Sequence, residues 1–153
     1  MTTLPTLQIG NHIPRYPIIQ GGMGIRISGA RLASAVANAG GIGIISAVAL
    51  GFGSSYFDPK QRGKRNIFEA NRLALIDELQ KARQLSSEGI IGINSMVAGQ
   101  DHETLVRTAA ANGANLIIAG AGLPMHLPEY TRDYPDVALV PIISSTRAAK
   151  VIC

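Results

Sequence analysis

The stretch Pro17-Ile18-Ile19-Gln20-Gly21-Gly22-Met23-Gly24 decides the fold of this chain. A short apolar run, typical of a buried strand, leads directly into glycines, and a helical pattern begins at Ser28. Glycine lets the backbone lie very close to a flat or charged ligand, and α/β proteins bind ligands at the carboxyl ends of parallel strands. The stretch therefore predicts the floor of a cofactor site, although a tight turn that needs small residues for packing explains the same glycines.

Composition places the chain among well-folded globular proteins. Its 153 residues suit one domain or part of a larger one, and 46% are hydrophobic while 16% are charged. The single cysteine, Cys153, excludes an internal disulfide and indicates a reducing, cytoplasmic setting. No apolar run approaches the roughly 20 residues of a membrane span, so we predict no membrane partner.

The positive charge is concentrated in one place. The net charge is +4, and most of the excess lies in the KQRGKR sequence of residues 60–65. Aromatic residues, zinc ligands and a helix-turn-helix pattern do not accompany this cluster. We therefore interpret it as a solvated loop and predict no nucleic-acid partner.

Apolar runs alternate with helical patterns along the whole chain. Near-continuous apolar strands of this kind indicate a parallel sheet that is buried on both faces. The spacing fits a (β/α)8 TIM barrel, here an incomplete barrel of about five β/α units. An open doubly wound sheet is the alternative, but Ile27 stands where its phosphate fingerprint needs a third glycine. The predicted strands are residues 18–20, 42–46, 90–95, 115–119 and 138–143.

Several polar residues have simple structural interpretations. Ser28 and Ser145 are predicted helix caps, and Asn66 with Glu69 resembles a capping box. His102 is expected in an exposed first helical turn. His126 is expected on a loop surface, and its place just after the fourth predicted strand leaves an acid, base or substrate-contact role as the alternative. No catalytic triad, zinc-ligand spacing or closely paired carboxylates occur at the predicted strand ends, so hydrolytic and metal-dependent mechanisms are disfavoured.

Four sequence motifs resemble one known family. Residues 17–24, followed by LASAVANAGGIGII at 32–45, resemble the N-terminal motif of the nitronate monooxygenases, formerly called 2-nitropropane dioxygenases. This family includes the flavin-dependent enoyl-acyl-carrier-protein reductases. The sequences GINSM, GAGLP and VPIISS, which begin at residues 92, 120 and 140, are similar to its later strand ends in the same order. The reductase-like branch is the closer one, because residues 121–124 and 144–148 resemble its sequence.

The resemblance implies a TIM barrel that binds FMN non-covalently. The backbone N–H groups of the glycine turn would face the isoalloxazine ring, and a side-chain amide would hydrogen-bond the ring's polar edge. The turn after the fourth predicted strand would form the pocket wall. The residues implied to contact the cofactor are Gly22, Met23, Gly24, Asn94, Ala121 and Gly122.

The same resemblance leaves important parts of the family site unmatched. The family's catalytic histidine lies in a Gly-Gly-His segment after the sixth strand, and its phosphate-binding loops follow strands seven and eight. Residues 1–153 are therefore expected to be the N-terminal part of a single FMN-binding barrel domain, with no catalytic residue assigned. A second chain supplies the rest, or the chain is a cleaved or truncated product, or the remainder lies outside this sequence.

The leading functional hypothesis is an FMN-dependent oxidoreductase with a small-molecule substrate. It would take two electrons from NAD(P)H or a nitronate, and pass them to oxygen or an activated alkene. A second hypothesis is a non-catalytic half-barrel that self-associates or pairs with the missing half, because its edges are open. A third is a different barrel enzyme that binds a sugar or nucleotide phosphate.

Overall fold

A computed structural model describes residues 4–60 and 63–152, without the side chains of residues 64 and 65. The predictions for Cys153 and for much of the basic cluster at 60–65 thus lie outside the described residues. The helices and strands are α1 (Ala30–Asn38), β1 (Gly43–Ser46), α2 (Lys64–Leu85), β2 (Ile91–Met96), α3 (His102–Ala111), β3 (Leu116–Gly120), α4 (Leu127–Tyr130), β4 (Ala138–Pro141) and α5 (Thr146–Ile152).

The strands of the described ranges form one parallel sheet in the order β1-β2-β3-β4. Parallel strands need crossover connections, and here α2 and α3 supply those between β1 and β2 and between β2 and β3. Strand order equals chain order, as in the wall of a β/α barrel. The predicted α/β class and partial-barrel arrangement are therefore confirmed.

The first predicted strand is reduced to a single parallel bridge between Ile19 and Ile42. After Gln20 the backbone no longer forms strand hydrogen bonds. The side chain of Gln20 instead pairs with the backbone of Ile44. Its Nε2 donates to the carbonyl of Ile44 at 3.1 Å, and its Oε1 accepts from the Ile44 N–H at 3.1 Å. The backbone after Gln20 is thereby released to form the glycine turn.

The sheet has two apolar faces. Its outer face packs against the helices through fully buried residues such as Ile45, Ile93 and Ile117. Its inner face forms a second cluster around Ile44 and Leu116, which the N-terminal segment covers with Leu7 and Ile9. The N-terminal segment therefore packs against the amino-terminal part of the inner face.

Two of the predicted helix caps are wrong. Ser28 does not cap α1; instead, Oε2 of Glu78 on α2 accepts a hydrogen bond from the Ala30 N–H at 2.5 Å. Helix α2 begins two residues before Asn66, whose Nδ2 donates to the carbonyl of Asp58 at 2.6 Å. Tertiary contacts override the local capping pattern in both cases.

The predicted cap at α5 is confirmed. The Ser145 Oγ accepts a hydrogen bond from the Ala148 N–H at 3.2 Å. This geometry satisfies one of the free N–H groups of the first helical turn. Local sequence is sufficient here, because the hydroxyl and the amide are only three positions apart.

Helix α2 joins several parts of the chain. Its apolar side buries Leu75, Leu79 and Ala82, while the Arg83 guanidinium donates to the carbonyl of Gly113 at 2.6 Å and to Asn115 Oδ1. Burial lowers the pKa of Arg83, but the side chain is held by these oxygen acceptors. Within the described ranges, no helix combines the length and apolarity needed to cross a bilayer.

Candidate functional site

A buried serine and a glutamine hold the glycine turn in place. Ser28 is fully buried, and its Oγ donates to the carbonyl of Gly21 at 3.0 Å and accepts from the Met23 N–H at 2.9 Å. Gln20 Nε2 also donates to this hydroxyl at 2.9 Å. The Ser28 hydroxyl therefore organises the turn instead of capping α1.

Gly22 and Asn94, two of the residues predicted to contact a cofactor, lie side by side in the structure. A Cβ atom on Gly22 would lie 2.6 Å from the Cβ of Asn94 and 3.3 Å from Cγ2 of Ile44, which is too close for any larger residue. Asn94 ends up half-buried, and its side-chain amide makes no hydrogen bond to the described residues. Bare backbone and an unpaired amide therefore lie side by side at the carboxyl edge of the sheet.

Ser46 lies next to Asn94 at the candidate site, and the sequence analysis did not single it out. Strand register pairs Ser46 with Asn94, Asn94 with Ile118, and Ile118 with Val140, so these residues share one layer of the inner face. The Ser46 Oγ is buried and has no hydrogen-bond partner among the described residues. This layer is polar on the first two strands and apolar on the next two.

The turn after β3 packs against the turn after β2. A Cβ on Gly122 would lie 2.9 Å from the Cβ of Val97, and the Ala98 N–H donates to the carbonyl of Ala121 at 3.2 Å. Ala121 has φ of +56°, a left-handed conformation that costs a residue with a side chain about 1–2 kcal/mol. The small residues predicted here thus allow close packing between two loops of the carboxyl edge.

Strained backbone is concentrated at this same edge. Within the described part of the chain, the non-glycine residues with positive φ are Arg26, Ala49 and Ala121, and each lies in a loop that follows a strand or the bridge at residue 19. Arg26 Nη1 donates to the carbonyl of Phe52 at 3.2 Å, which ties the glycine turn to the loop after β1. Such strain is often found at functional sites, where surrounding contacts hold it in place.

Comparison with family models gives a match to the model described as nitronate monooxygenase, over residues 6–153. The chain belongs to the nitronate monooxygenase family. Curated protein sequences give no match. The predicted family is therefore confirmed over nearly the whole sequence.

Two solved structures are similar to this member of the nitronate monooxygenase family, and both are longer than it. A FabK mutant from Thermotoga maritima is similar with a TM-score of 0.68 and 21% identity, over 91% of this chain and 40% of that one. Nitroalkane oxidase from Streptomyces ansochromogenes is similar with a TM-score of 0.65 and 15% identity, over 91% of this chain and 43% of that one. The chain thus spans about two fifths of each structure, and the likeness concerns the fold.

His102 was predicted to be exposed, but it is buried in this family member. Only 7% of the residue is exposed, and its Nδ1 lies 2.9 Å from the Ser95 Oγ. Its Nε2 is buried without a hydrogen-bond partner in the described ranges, and burial lowers the pKa of the imidazole. His126, in contrast, has 66% of its side chain exposed, as its loop position predicted.

Proposed function

We propose that this chain is the ring-binding part of an FMN-dependent oxidoreductase. The observation that carries the proposal is the contact between the bare backbone of Gly22 and Asn94, beside the unpaired hydroxyl of Ser46. Membership of the nitronate monooxygenase family supports the proposal independently. The reaction class is an oxidation of alkyl nitronates or a reduction of an enoyl thioester by NAD(P)H.

The residues present fit an isoalloxazine ring. The amide of Asn94 offers both a donor and an acceptor to the ring's polar edge, and Ser46 offers a hydroxyl. An unsatisfied buried polar group costs about 1–3 kcal/mol, which such a partner would recover. Ile118 and Val140, in the same layer, would provide an apolar surface for the dimethylbenzene end of the ring.

The glycine turn contributes shape and two free amides. The Met23 N–H donates to Ser28, so the earlier expectation that this N–H faces the ring does not fit the structure. The N–H groups of Gly22 and Gly24 make no hydrogen bond to the described residues and remain suitable donors. Met23 itself, with 50% of its surface exposed, would contribute apolar contact from its side chain.

Bound FMN would supply two-electron chemistry, with electrons taken from NAD(P)H or a nitronate and passed to oxygen or an activated alkene. The part of this chain is to orient the ring, cover one of its faces and exclude water there. The turn is suited to this role because Gln20 and Ser28 fix it before a ligand binds. Such preorganisation reduces the entropic cost of binding.

Titration of the purified chain with FMN tests the proposal. We expect quenched flavin fluorescence and a perturbed absorption spectrum, and Asn94→Ala should weaken binding at least about tenfold, or about 1.4 kcal/mol. Asn38→Ala is the matched control, because this exposed amide belongs to the last residue of α1, at the opposite edge of the sheet, and donates to the carbonyl of Leu85. No binding, or equal binding by both variants, would refute the proposed site.

A second candidate function is a half-barrel that acts by pairing. Strand β4 is an edge strand, because no strand of the described residues pairs with it on the side away from β3. Near the two edges of the sheet, Ile18 and Ile142 are 58% and 54% exposed. We propose that another copy of the chain, or the remainder of a family barrel, covers these surfaces. A chain that associates in sedimentation experiments and ignores FMN would favour this function, whereas a monomer that binds FMN would exclude it.

A further inference from the structure

One buried side chain joins the two loops that follow β1 and β2. Asn71 of α2 has only 5% of its surface exposed. Its Oδ1 accepts a hydrogen bond from the Gly51 N–H at 2.8 Å, and its Nδ2 donates to Oδ2 of Asp101 at 2.7 Å. Gly51 belongs to the loop after β1, and Asp101 ends the turn after β2. The Asn71 amide thus bridges segments that follow neighbouring strands.

The two partners fix the orientation of this amide. A backbone N–H can only donate and an ionised carboxylate can only accept, so the side chain between them needs an acceptor at one end and a donor at the other. Asp101 directly precedes α3, but its carboxylate makes no capping hydrogen bond to that helix. A residue type that usually caps a helix is used here for the contact with α2.

The loop after β1 also supports the glycine turn. A Cβ on Gly24 would lie 3.5 Å from the Cβ of Val48, which is ordinary van der Waals contact. Arg26 Nη1 donates to the carbonyl of Leu50 at 3.4 Å and to that of Phe52 at 3.2 Å. Gly51, the residue that Asn71 holds, lies between these two carbonyls in the chain. The position of the loop therefore affects the turn that is proposed to hold the flavin.

Direct packing between the loop after β1 and the turn after β2 is incomplete. A cavity of about 80 Å³ lies between them, with residues 47–49 on one side and Met96, Gly99 and Asp101 on the other. Atoms that line a cavity lack packing partners on that side. The polar bridge through Asn71 thus connects segments that apolar contact alone does not hold together.

We propose that Asn71 and Asp101 are positioning residues for the flavin site, an inference that rests on the proposed oxidoreductase function. They act through Gly51 and do not touch the cofactor themselves. Helix α2 already supports the glycine turn through Glu78, which accepts from the first N–H of α1. Asn71 gives the same helix a second connection to the turn, through the loop after β1.

Exchanging the two side chains tests the bridge. Asn71→Asp alone places two carboxylates in contact, and neither can donate to the other. Combined with Asp101→Asn, it restores one donor, and position 71 still offers an acceptor to the Gly51 N–H. We expect Asn71→Asp to weaken FMN binding about tenfold, and the double variant to bind within about twofold of the unsubstituted chain.

Asn112→Asp is the matched control. This half-buried amide follows α3 at the opposite edge of the sheet and donates to the carbonyl of Thr108 at 2.8 Å. The substitution removes that hydrogen bond and adds a negative charge at a helix C-terminus, so it should lower Tm as Asn71→Asp does. Flavin affinity should remain unchanged in Asn112→Asp, which separates a positioning role from a loss of stability alone.

Amide hydrogen exchange in the absence of FMN measures the positioning directly. In Asn71→Asp, we expect faster exchange at Gly51 and at Met23, whose N–H is bonded to Ser28 in the glycine turn. The double variant should regain protection at both amides. Unchanged exchange at Met23, a double variant that binds FMN as weakly as Asn71→Asp, or equal flavin affinity in Asn71→Asp and Asn112→Asp overturns the inference. An unsubstituted chain that does not bind FMN overturns the proposed function instead, and exchange at Met23 then decides whether the bridge positions the turn.

Discussion

Replacing Gly22 with alanine tests the central contact of the candidate site. The added Cβ would lie 2.6 Å from the Cβ of Asn94, whereas carbon atoms pack best at about 3.5–4.0 Å. The turn or β2 must therefore move by about 1 Å, and a Cβ cannot escape by changing rotamer. Overpacking of this kind costs about 1–3 kcal/mol. For a chain of this size, that corresponds to a fall of roughly 2–12 °C in Tm.

Gly21→Ala is the matched control for this experiment. A Cβ on Gly21 meets no atom within 4 Å, so this substitution should change the free energy of unfolding by less than about 1 kcal/mol. Chemical denaturation of both variants measures the difference, and an FMN titration should show at least about tenfold weaker binding for Gly22→Ala alone. Equal stability and equal flavin affinity of the two variants would refute the reasoning about close packing at this turn.

Two further predictions concern stability. Arg83→Met should lower the free energy of unfolding by about 2–4 kcal/mol, because it removes the hydrogen-bond donors to Gly113 and Asn115. Arg132 is exposed, so Arg132→Met should change the free energy of unfolding by less than about 0.5 kcal/mol. Similar losses in the two variants would contradict the role of Arg83. His102 has a lowered pKa when folded, so the unfolded chain binds the proton more readily and stability should fall as pH drops below about 6.5. Denaturant unfolding between pH 7.5 and 5 measures how the free energy of unfolding changes with pH. This change should be smaller for His102→Gln than for the unsubstituted chain. The same change in both proteins would contradict the contribution of His102.

Much of the architecture could be predicted from local sequence. The apolar runs that became β2, β3 and β4 are flanked by helical patterns and glycine breaks, so each strand was found to within a few residues. Order and parallel pairing follow from alternation of strands and helices. The first strand is the exception, because the side chain of Gln20 pairs with Ile44 where a strand backbone would. The sequence pattern does not predict such side-chain pairing.

The sequence indicates part of the candidate site, and its cofactor-binding role stays a prediction. Gly22 and Asn94 could be found because both follow apolar runs and match family motifs, and the structure places them in contact. Ser46 was missed because a serine after an apolar run is common; only register shows that it shares a layer with Asn94. The burial of His102 was not predicted, because it depends on a contact between its imidazole and Ser95 of β2. The periodicity of a helix does not indicate which strand residue its side chains meet.

The capping of α1 by Glu78 has a consequence for protein engineering. The glycine turn depends on Ser28, and the helix after it depends on a carboxylate that lies 48 positions further along the chain. A graft that carried only the turn and its own helix into another scaffold would leave that helix without its partner. A transplantable unit must therefore include Gln20 through Glu78 and also Asn94 of β2, against which Gly22 packs.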